Sequence, residues 1–383
     1  MSHKICYVST LASTLDLFCL KSAQYNIENA DWDITFISSY DEEFARRVPK
    51  EIRYYPVEIR RGISISGFLS TIKLFKFFKK EKFDLVQYAT SNAGCYASIA
   101  AFLAGIPIRL YCEWGLGYVQ LSGKRRFIFE TVERLICKCS THVRPDSDSN
   151  LKIGINEKLY NSQKAKVIGR GSSCGVDLNR FRFDCREKWR AEIRNELNIS
   201  GETFVFGYVG RFQRDKGINE LLKAGSEICK ANQNCNIIFV GDYTCRESID
   251  DSLFETAYNN EQMRFCGYQR EVEKYYAAID CLILPSYHEG FPTSIIETQA
   301  MGTPAIVTNI PGCVDAIIPD ETGWLVPRGD DEALAKTMQR IIALPDIKMY
   351  GLAGVKHINH FFNQNEIFKM ILQDREELLS SIT

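Results

Sequence analysis

The 383-residue chain has no surplus of either charge: 47 Lys and Arg stand against 48 Asp and Glu, a formal net charge of -1. A dedicated nucleic-acid binder carries a basic excess, so that class is excluded for the chain as a whole. No window of about 18 apolar residues is free of charge, which excludes a membrane-spanning helix. The first residues run straight into a strand-like segment, without a basic start and an apolar stretch, so no signal peptide is expected. The 14 Cys are scattered, several inside apolar runs such as Asp280-Cys281-Leu282, and are not concentrated as in a small disulfide-stapled domain. Cys137 and Cys139 lack the four-ligand spacing of a structural zinc site. A reduced, cytoplasmic protein is the expectation. The strand-like Ile5 to Ser9 is followed by Thr10 to Asp16 with no glycine at all, where a dinucleotide fold carries Gly-x-Gly-x-x-Gly. No low-complexity tract is present.

What is there has the composition of a soluble globular protein, 45% apolar and 25% charged, and a length that suits two domains. Short Val-, Ile- and Phe-rich runs alternate with helix-like stretches. Ile5 to Ser9, Asp33 to Ser38, Asp84 to Ala89 and Ile108 to Cys112 read as buried strands; Leu15 to Ile27, Phe68 to Lys82 and Gly94 to Leu103 read as helices. The pattern restarts at Phe204 to Val209, Asn236 to Gly241, Asp280 to Leu284 and Ala305 to Thr308, with helices at Ile218 to Ala231 and Thr293 to Met301. Strands alternating with helices predict two doubly wound α/β domains with parallel sheets. Gly169 to Ser173 reads as the hinge. The predicted divisions are residues 1–172, 173–362 and a final helical stretch, 363–383, crossing back to the first domain.

Two segments carry chemistry. In Phe206 to Gly217, a strand leads into a tight loop holding Gly210, Arg211 and Lys216. A strand-end loop of an open α/β sheet is a ligand site, and two cations there either hold a diphosphate, Arg by its fork and Lys as a point charge, or are solvated loop cations. In Leu284 to Pro304, Glu289 lies on the loop after a strand and Pro292 or Thr293 starts a helix. The N–H groups of Gly290, Phe291 and Thr293 then face one spot, with the positive helix end behind them, an anion site. Glu297, in the first turns, either accepts from vicinal ribose hydroxyls or partners the helix dipole. His288, beside Glu289, suits a capping or donor role.

The two segments resemble the retaining, nucleotide-sugar-dependent glycosyltransferases of family 4, which have the GT-B fold. Glu289 and Glu297 match that family's Glu-x7-Glu. Gly210, Arg211, Lys216 and Gly217 match its Gly-Arg-x4-Lys-Gly, and Glu321 to Pro327 resembles the element that follows. Glu113 to Val119, Gly171 to Asp177 and Pro311 to Cys313 are similar to a bacterial subgroup that builds capsule, O-antigen and N-glycan precursors on undecaprenyl diphosphate, the PglA-like N-acetylgalactosaminyltransferases among them.

The resemblance implies two Rossmann-like domains facing across a cleft. It implies a UDP-sugar donor, no metal cofactor, and transfer of a hexose or N-acetylhexosamine to a lipid-linked saccharide acceptor. Arg211 and Lys216 would bind the donor diphosphate, and Glu297 the ribose hydroxyls. Glu289 would bind the 3- and 4-hydroxyls of the sugar, aided by the N–H groups of Gly290 and Phe291. Where many members have His-Gly, this chain has Trp114-Gly115, and Glu113 is the candidate acceptor-side group. Asp146-Ser147-Asp148 looks like a metal-binding Asp-x-Asp but lacks the context. The alternative is a sugar-nucleotide epimerase or sugar-phosphate synthase on the same fold. A degenerate, non-catalytic binding module would be expected to have lost Glu297, Arg211 or Lys216, and all three are present.

The first half also carries a basic, aromatic stretch, Arg60-Arg61 and then Phe68 to Lys82. Its apolar stripe is expected at Phe68, Leu69, Ile72, Phe75 and Phe78, with Lys73, Lys76, Lys79 and Lys80 elsewhere. Such a helix either packs on the sheet with a solvated face or contacts an anionic membrane surface. Lys124-Arg125-Arg126-Phe127 adds cations to this half. With a lipid-linked acceptor, the expectation is a peripheral protein on the inner face of the cytoplasmic membrane.

Overall fold

The computed structural model describes residues 2–60, 62, 65–244 and 249–382; Arg61 of the basic stretch lies outside them. By internal contacts the chain divides into two compact units, Met1–Cys174 with Asn365–Thr383, and Gly175–Gln364.

The first unit holds β1 (His3–Val8), β2 (Trp32–Ile37), β3 (Ile52–Tyr54), β4 (Leu85–Ala89), β5 (Ile108–Glu113) and β6 (His142–Pro145), in the sheet order β3-β2-β1-β4-β5-β6. The second holds β7 (Phe204–Val209), β8 (Cys235–Val240), β9 (Met263–Phe265), β10 (Cys281–Leu284), β11 (Ala305–Thr308) and β12 (Gly323–Val326), ordered β12-β11-β10-β7-β8-β9. Every pairing is parallel; Ile5, for example, faces Ile34 on one side and Leu85 on the other. Parallel strands need crossover helices, which cover both faces, so the central strands are mostly apolar on both faces. In β1 the buried residues divide between two cores, Cys6 and Val8 on one face, Ile5 and Tyr7 on the other.

The eight strands legible from apolar runs are the sheet interiors. The other four, β3, β6, β9 and β12, are the sheet edges. An edge strand is paired on one side only, and these have three or four residues, including Arg53, His142, Arg264 and Trp324.

From Asn365 onward the helix Gln364–Ser380 belongs to the first unit. It is held there by Phe368 against Tyr25, at a 5.9 Å ring separation, and by a buried ion pair, Arg144 Nη2 to Asp374 Oδ1 at 2.8 Å. Arg375 donates to Gln87 Oε1 at 3.0 Å.

The helix Ile65–Glu81 corrects the expected stripe. It buries Ser70, Leu74, Phe77 and Phe78, while Phe68 and Leu69 are 66% and 55% exposed. Gly67 sets this rotation: a Cβ there would lie 2.1 Å from the Tyr96 ring, so the backbone itself meets the helix Ser91–Ala104. Its neighbours Phe68 and Leu69 are thereby turned outward. Asp146-Ser147-Asp148 starts the helix Asp148–Asn156: Ser147 Oγ accepts from the Asn150 N–H at 3.3 Å and Asp146 Oδ1 from the Asn150 side chain at 3.2 Å.

Candidate active site

The site grows from the C-terminal ends of β7 and β10. After Val209 the chain stays in register with β8, Gly210 N–H donating to Val240 O at 3.0 Å. Gly241 packs so closely that a Cβ on it would stand 1.9 Å from Gly210 O. Phe212 is buried among Tyr208, Phe239 and Phe265 and anchors the loop. The Tyr208 hydroxyl donates to Arg211 O at 2.6 Å, so the backbone of Arg211 is fixed while its side chain stays exposed. Gly217, at φ +69°, closes the loop; a Cβ there would sit 2.0 Å from Pro285 O. That contact, with Tyr287 N–H donating to Asp215 O at 2.8 Å, seats the β7 loop on the β10 loop.

The contact brings two of the expected residues together. Lys216 Nζ lies 2.7 Å from Glu289 Oε1, with the side chains 15% and 12% exposed. Ser286 Oγ donates to the same oxygen, also at 2.7 Å. Both donors fall on Oε1, and among the described residues none bonds Oε2. The β11 loop supports this from below: Gly312, at φ +81°, allows an approach in which a Cβ would stand 1.7 Å from Gly290 O. His288 is half-buried; burial pushes its pKa down, with Glu289 opposing and Lys216 assisting. The downward push favours the neutral ring, which suits a hydrogen-bonding role.

The helix Thr293–Ala300 follows, with Pro292 as its N-cap in an extended conformation. Its first N–H groups have no acceptor within the helix and carry the positive end of its dipole. Phe291 is buried against Phe362, ring centroids 5.3 Å apart, which pins the entry to this helix. One turn on, Glu297 Oε2 accepts from the Tyr276 hydroxyl at 3.2 Å. Burial pushes the Glu297 carboxyl up to about 7, Arg180 and the Tyr276 hydrogen bond pull it down, and Glu273 adds to the rise. Arg180 is itself held 2.9 Å from Glu273.

Arg211, Lys216, Glu289, His288 and the 290–293 segment thus all belong to the second unit, on adjoining strand-end loops and the start of the helix Thr293–Ala300, which also bears Glu297. Glu113 does not fit its expected place. It lies in the first unit, wholly buried, with the Tyr160 hydroxyl donating to Oε2 at 2.9 Å. Burial, with the charges of Glu133 and Asp146, pushes its carboxyl well above the usual range against the Tyr160 hydrogen bond. Enclosed within its own unit, Glu113 offers no surface to an acceptor, and it is corrected to a structural position. Sequence reasoning missed Ser286, Tyr276 and Tyr208. Ser286 is visible in hindsight three residues before Glu289; Tyr276 and Tyr208 carry no motif signal. Among the described residues no three His, Cys, Asp or Glu side chains gather as a metal site.

Two parallel six-stranded α/β units, the second with a cation–carboxylate pair at its strand ends beside a helix start, are the architecture of the GT-B fold. Comparison with known proteins agrees. The chain matches the family "Glycosyl transferases group 1" over residues 190–350 and "Glycosyl transferase 4-like" over residues 4–147. It is 28% identical over 375 residues to the capsular polysaccharide biosynthesis glycosyltransferase CapM of Staphylococcus aureus, spanning 96% of this chain and 95% of CapM. It is 26% identical over 356 residues to the Escherichia coli UDP-Gal:α-D-GlcNAc-diphosphoundecaprenol α-1,3-galactosyltransferase, spanning 90% and 88%. The structure resembles that of Anabaena HepE in complex with UDP, with a TM-score of 0.78 at 17% identity over 98% of this chain and 100% of HepE. The chain is a glycosyltransferase whose C-terminal half is similar to the group 1 glycosyltransferases and whose N-terminal half is similar to the family 4-like ones.

Proposed function

We propose that this enzyme is a retaining glycosyltransferase. It moves a hexose or N-acetylhexosamine from a UDP-sugar to a saccharide on undecaprenyl diphosphate, in capsule, O-antigen or glycoprotein glycan assembly. The observation that carries the reading is the Lys216–Glu289–Ser286 cluster, with Lys216 Nζ 2.7 Å from Glu289 Oε1, on the loop that leads into the helix Thr293–Ala300. The reaction printed for the E. coli relative, a UDP-sugar donor with a diphosphoundecaprenol acceptor, supports the substrate classes; the UDP held by HepE supports the nucleotide.

The chemistry follows from the charges. Arg211 and Lys216 receive the donor diphosphate, Lys216 turning to it from Glu289. Ser286 keeps Oε1 of Glu289 in place while Oε2 accepts from the 3- and 4-hydroxyls of the sugar. The N–H groups of Gly290 and Phe291 and the helix end add positive potential. Glu297, ionised, accepts from the ribose hydroxyls, with Tyr276 fixing its other oxygen. When the sugar–phosphate bond breaks, negative charge grows on the diphosphate and positive charge on the anomeric carbon. Fixed cations and dipoles stabilise that separation more than they stabilise the ground state. The departing phosphate oxygen takes the proton of the acceptor hydroxyl on the same face, so the configuration is retained without a protein nucleophile. The leaving-group charge is carried by side chains and the helix start, with no metal required.

A lipid-linked acceptor places the enzyme on the cytoplasmic face of the membrane as a peripheral protein; no described helix is long and apolar enough to cross a membrane. The test is a panel of UDP-sugars with and without a synthetic undecaprenyl-diphosphate-linked saccharide. The expected product carries the α-linkage of the donor, read by the anomeric proton coupling. An inverted linkage, or turnover that ignores the acceptor, would refute the reading.

A further inference from the structure

The helix Arg186–Glu196 turns three guanidiniums, Arg186, Arg190 and Arg194, to one side, each one turn from the next. They meet the N-terminal edge of the second sheet, beside Phe204, Asp280 and Pro304, where β7, β10 and β11 begin. The loop bearing Lys216 leaves β7 at its other end, six residues or about 20 Å away. A groove of about 680 Å³ opens over the three arginines, a volume in the range of small-molecule sites.

One carboxylate is in ion-pair contact with these cations. Asp280 lies 2.6 Å from Arg190 and 2.8 Å from Arg194, and it also accepts from the Val205 N–H at 2.7 Å. Arg194 is taken up by the fold: it is buried and donates to Ala278 O at 2.9 Å and Thr203 O at 2.8 Å as well. Arg186 has no carboxylate at ion-pair distance among the described residues. It donates instead to Met301 O, to Thr303 Oγ1 at 2.5 Å and to Ile279 O at 3.3 Å. Burial and then the like charge of Arg190 push Arg186 down to about 10, with Arg194 adding to the fall and Asp280 and Glu187 opposing it. The Nε groups of Arg186 and Arg190 have no acceptor among the described residues.

The rest of the groove adds a further cation and an apolar wall. Lys348 is exposed at the first position of the helix Lys348–Phe361, its own N–H donating to Asp346 Oδ1 at 2.9 Å. Glu187 and Glu202, the other acids of the lining, are exposed, where water and salt screen them. Phe183 and Leu352 are 37% and 50% exposed. A Cβ on Gly302 would stand 2.4 Å from the Phe183 ring, so the ring rests on bare backbone.

We propose that this groove binds the phosphate group of a small phosphorylated metabolite, with Arg186, Arg190 and Lys348 donating to its oxygens and Phe183 and Leu352 covering its organic part. A guanidinium meets phosphate oxygens through its fork, and Lys supplies a point charge. The phosphate brings the negative charge that Asp280, shared between two arginines, does not supply to Arg186. The site is separate from the loops assigned to the sugar donor and does not depend on that assignment.

The test is calorimetric titration of the full chain with glucose 6-phosphate, against glucose at the same ionic strength. Saturable binding is expected for the phosphate ester alone. Lys348→Glu and Arg190→Gln should each weaken it about tenfold or more, whereas Arg211→Ala should leave it unchanged. Lys348 is exposed, and Arg194 and the Val205 N–H still hold Asp280 when Arg190 is replaced, so melting temperatures should move little. No saturable binding, equal binding of glucose, or unchanged affinity in either groove variant overturns the proposal. Binding lost in Arg211→Ala but kept in Lys348→Glu puts the phosphate on the β7 loop, which overturns this site and leaves the proposed function standing.

Discussion

Lys216→Ala withdraws one charge from two tasks. Its Nζ is 2.7 Å from Glu289 Oε1, and the two side chains are 15% and 12% exposed. Unit charges about 4 Å apart at an effective dielectric near 20 attract by roughly 4 kcal/mol, much of it offset by desolvation. Removing one partner strands the other, which costs about 3–5 kcal/mol at a fully buried site. Here Ser286 still donates to the carboxylate at 2.7 Å and some solvent reaches it, so the expected loss of stability is about 1–3 kcal/mol. The rate falls further: one lost electrostatic stabiliser of the leaving group costs roughly 10²–10³ in kcat, about 3–4 kcal/mol. The two losses separate in the double variant Lys216→Ala/Glu289→Gln. With no stranded charge, urea unfolding should return towards wild type, while turnover of UDP-sugar stays low. Near-normal turnover in Lys216→Ala would refute the assignment. So would recovery of turnover in the double variant, because Lys216 would then serve only to neutralise Glu289.

In the proposed role, Glu297 accepts from ribose hydroxyls more strongly when ionised, and burial pushes its carboxyl up to about 7, so nucleotide affinity should rise with pH through about that value. Tyr276→Phe removes a donor that holds this group down, so the midpoint should move upward while kcat changes little; a midpoint unmoved by calorimetry contradicts the positioning role. The same raised value has a stability consequence: the fold favours protonated Glu297, so its contribution is present below the ordinary carboxyl value and is lost as pH rises to about 7. Gly312→Ala would put a Cβ 1.7 Å from Gly290 O at φ +81°, displacing the Glu289 loop; both melting temperature and kcat should drop, and an unaltered kcat would show that the loop tolerates the shift. Asp374→Ala strands Arg144 and Arg375 in the first unit, where Arg144 and Asp374 are 6% and 4% exposed, and should cost about 3–5 kcal/mol in urea unfolding. Against the upward push of burial, Arg375, Arg144 and Lys166 hold the Asp374 carboxyl well below the usual range; the stability it adds should persist above the ordinary carboxylate value and fade as pH falls below it.

Central strands were readable because a strand buried on both faces is apolar at most of its positions; β7 and β11 begin and end where the apolar runs do. Edge strands were not, because β3 and β9 are three residues long and each has a single pairing partner. In the site, Glu289 and Glu297 were legible from spacing around a helix start. Their hydroxyl partners differ: Ser286 is local to the motif, whereas Tyr276 lies 21 residues from Glu297 along the chain and meets it only through packing. Glu113 was misjudged because a motif position does not report burial. The helix Ile65–Glu81 was rotated wrongly because Gly67, not an apolar side chain, makes its close contact.

The order of strand and helix, the loops that bear Arg211, Lys216 and Glu289, the helix that bears Glu297, and the family resemblance were all set by residues near one another in the chain. Local backbone preference and apolar periodicity act over a few residues, so one strand of text suffices to read them. Which oxygen of Glu289 is taken, which acid is enclosed, and which arginine of Arg186–Glu196 is left without a carboxylate were decided only by folding. Those properties depend on what arrives from distant positions, as Lys216 does to Glu289 across 73 residues, and on how much water is driven out when it does.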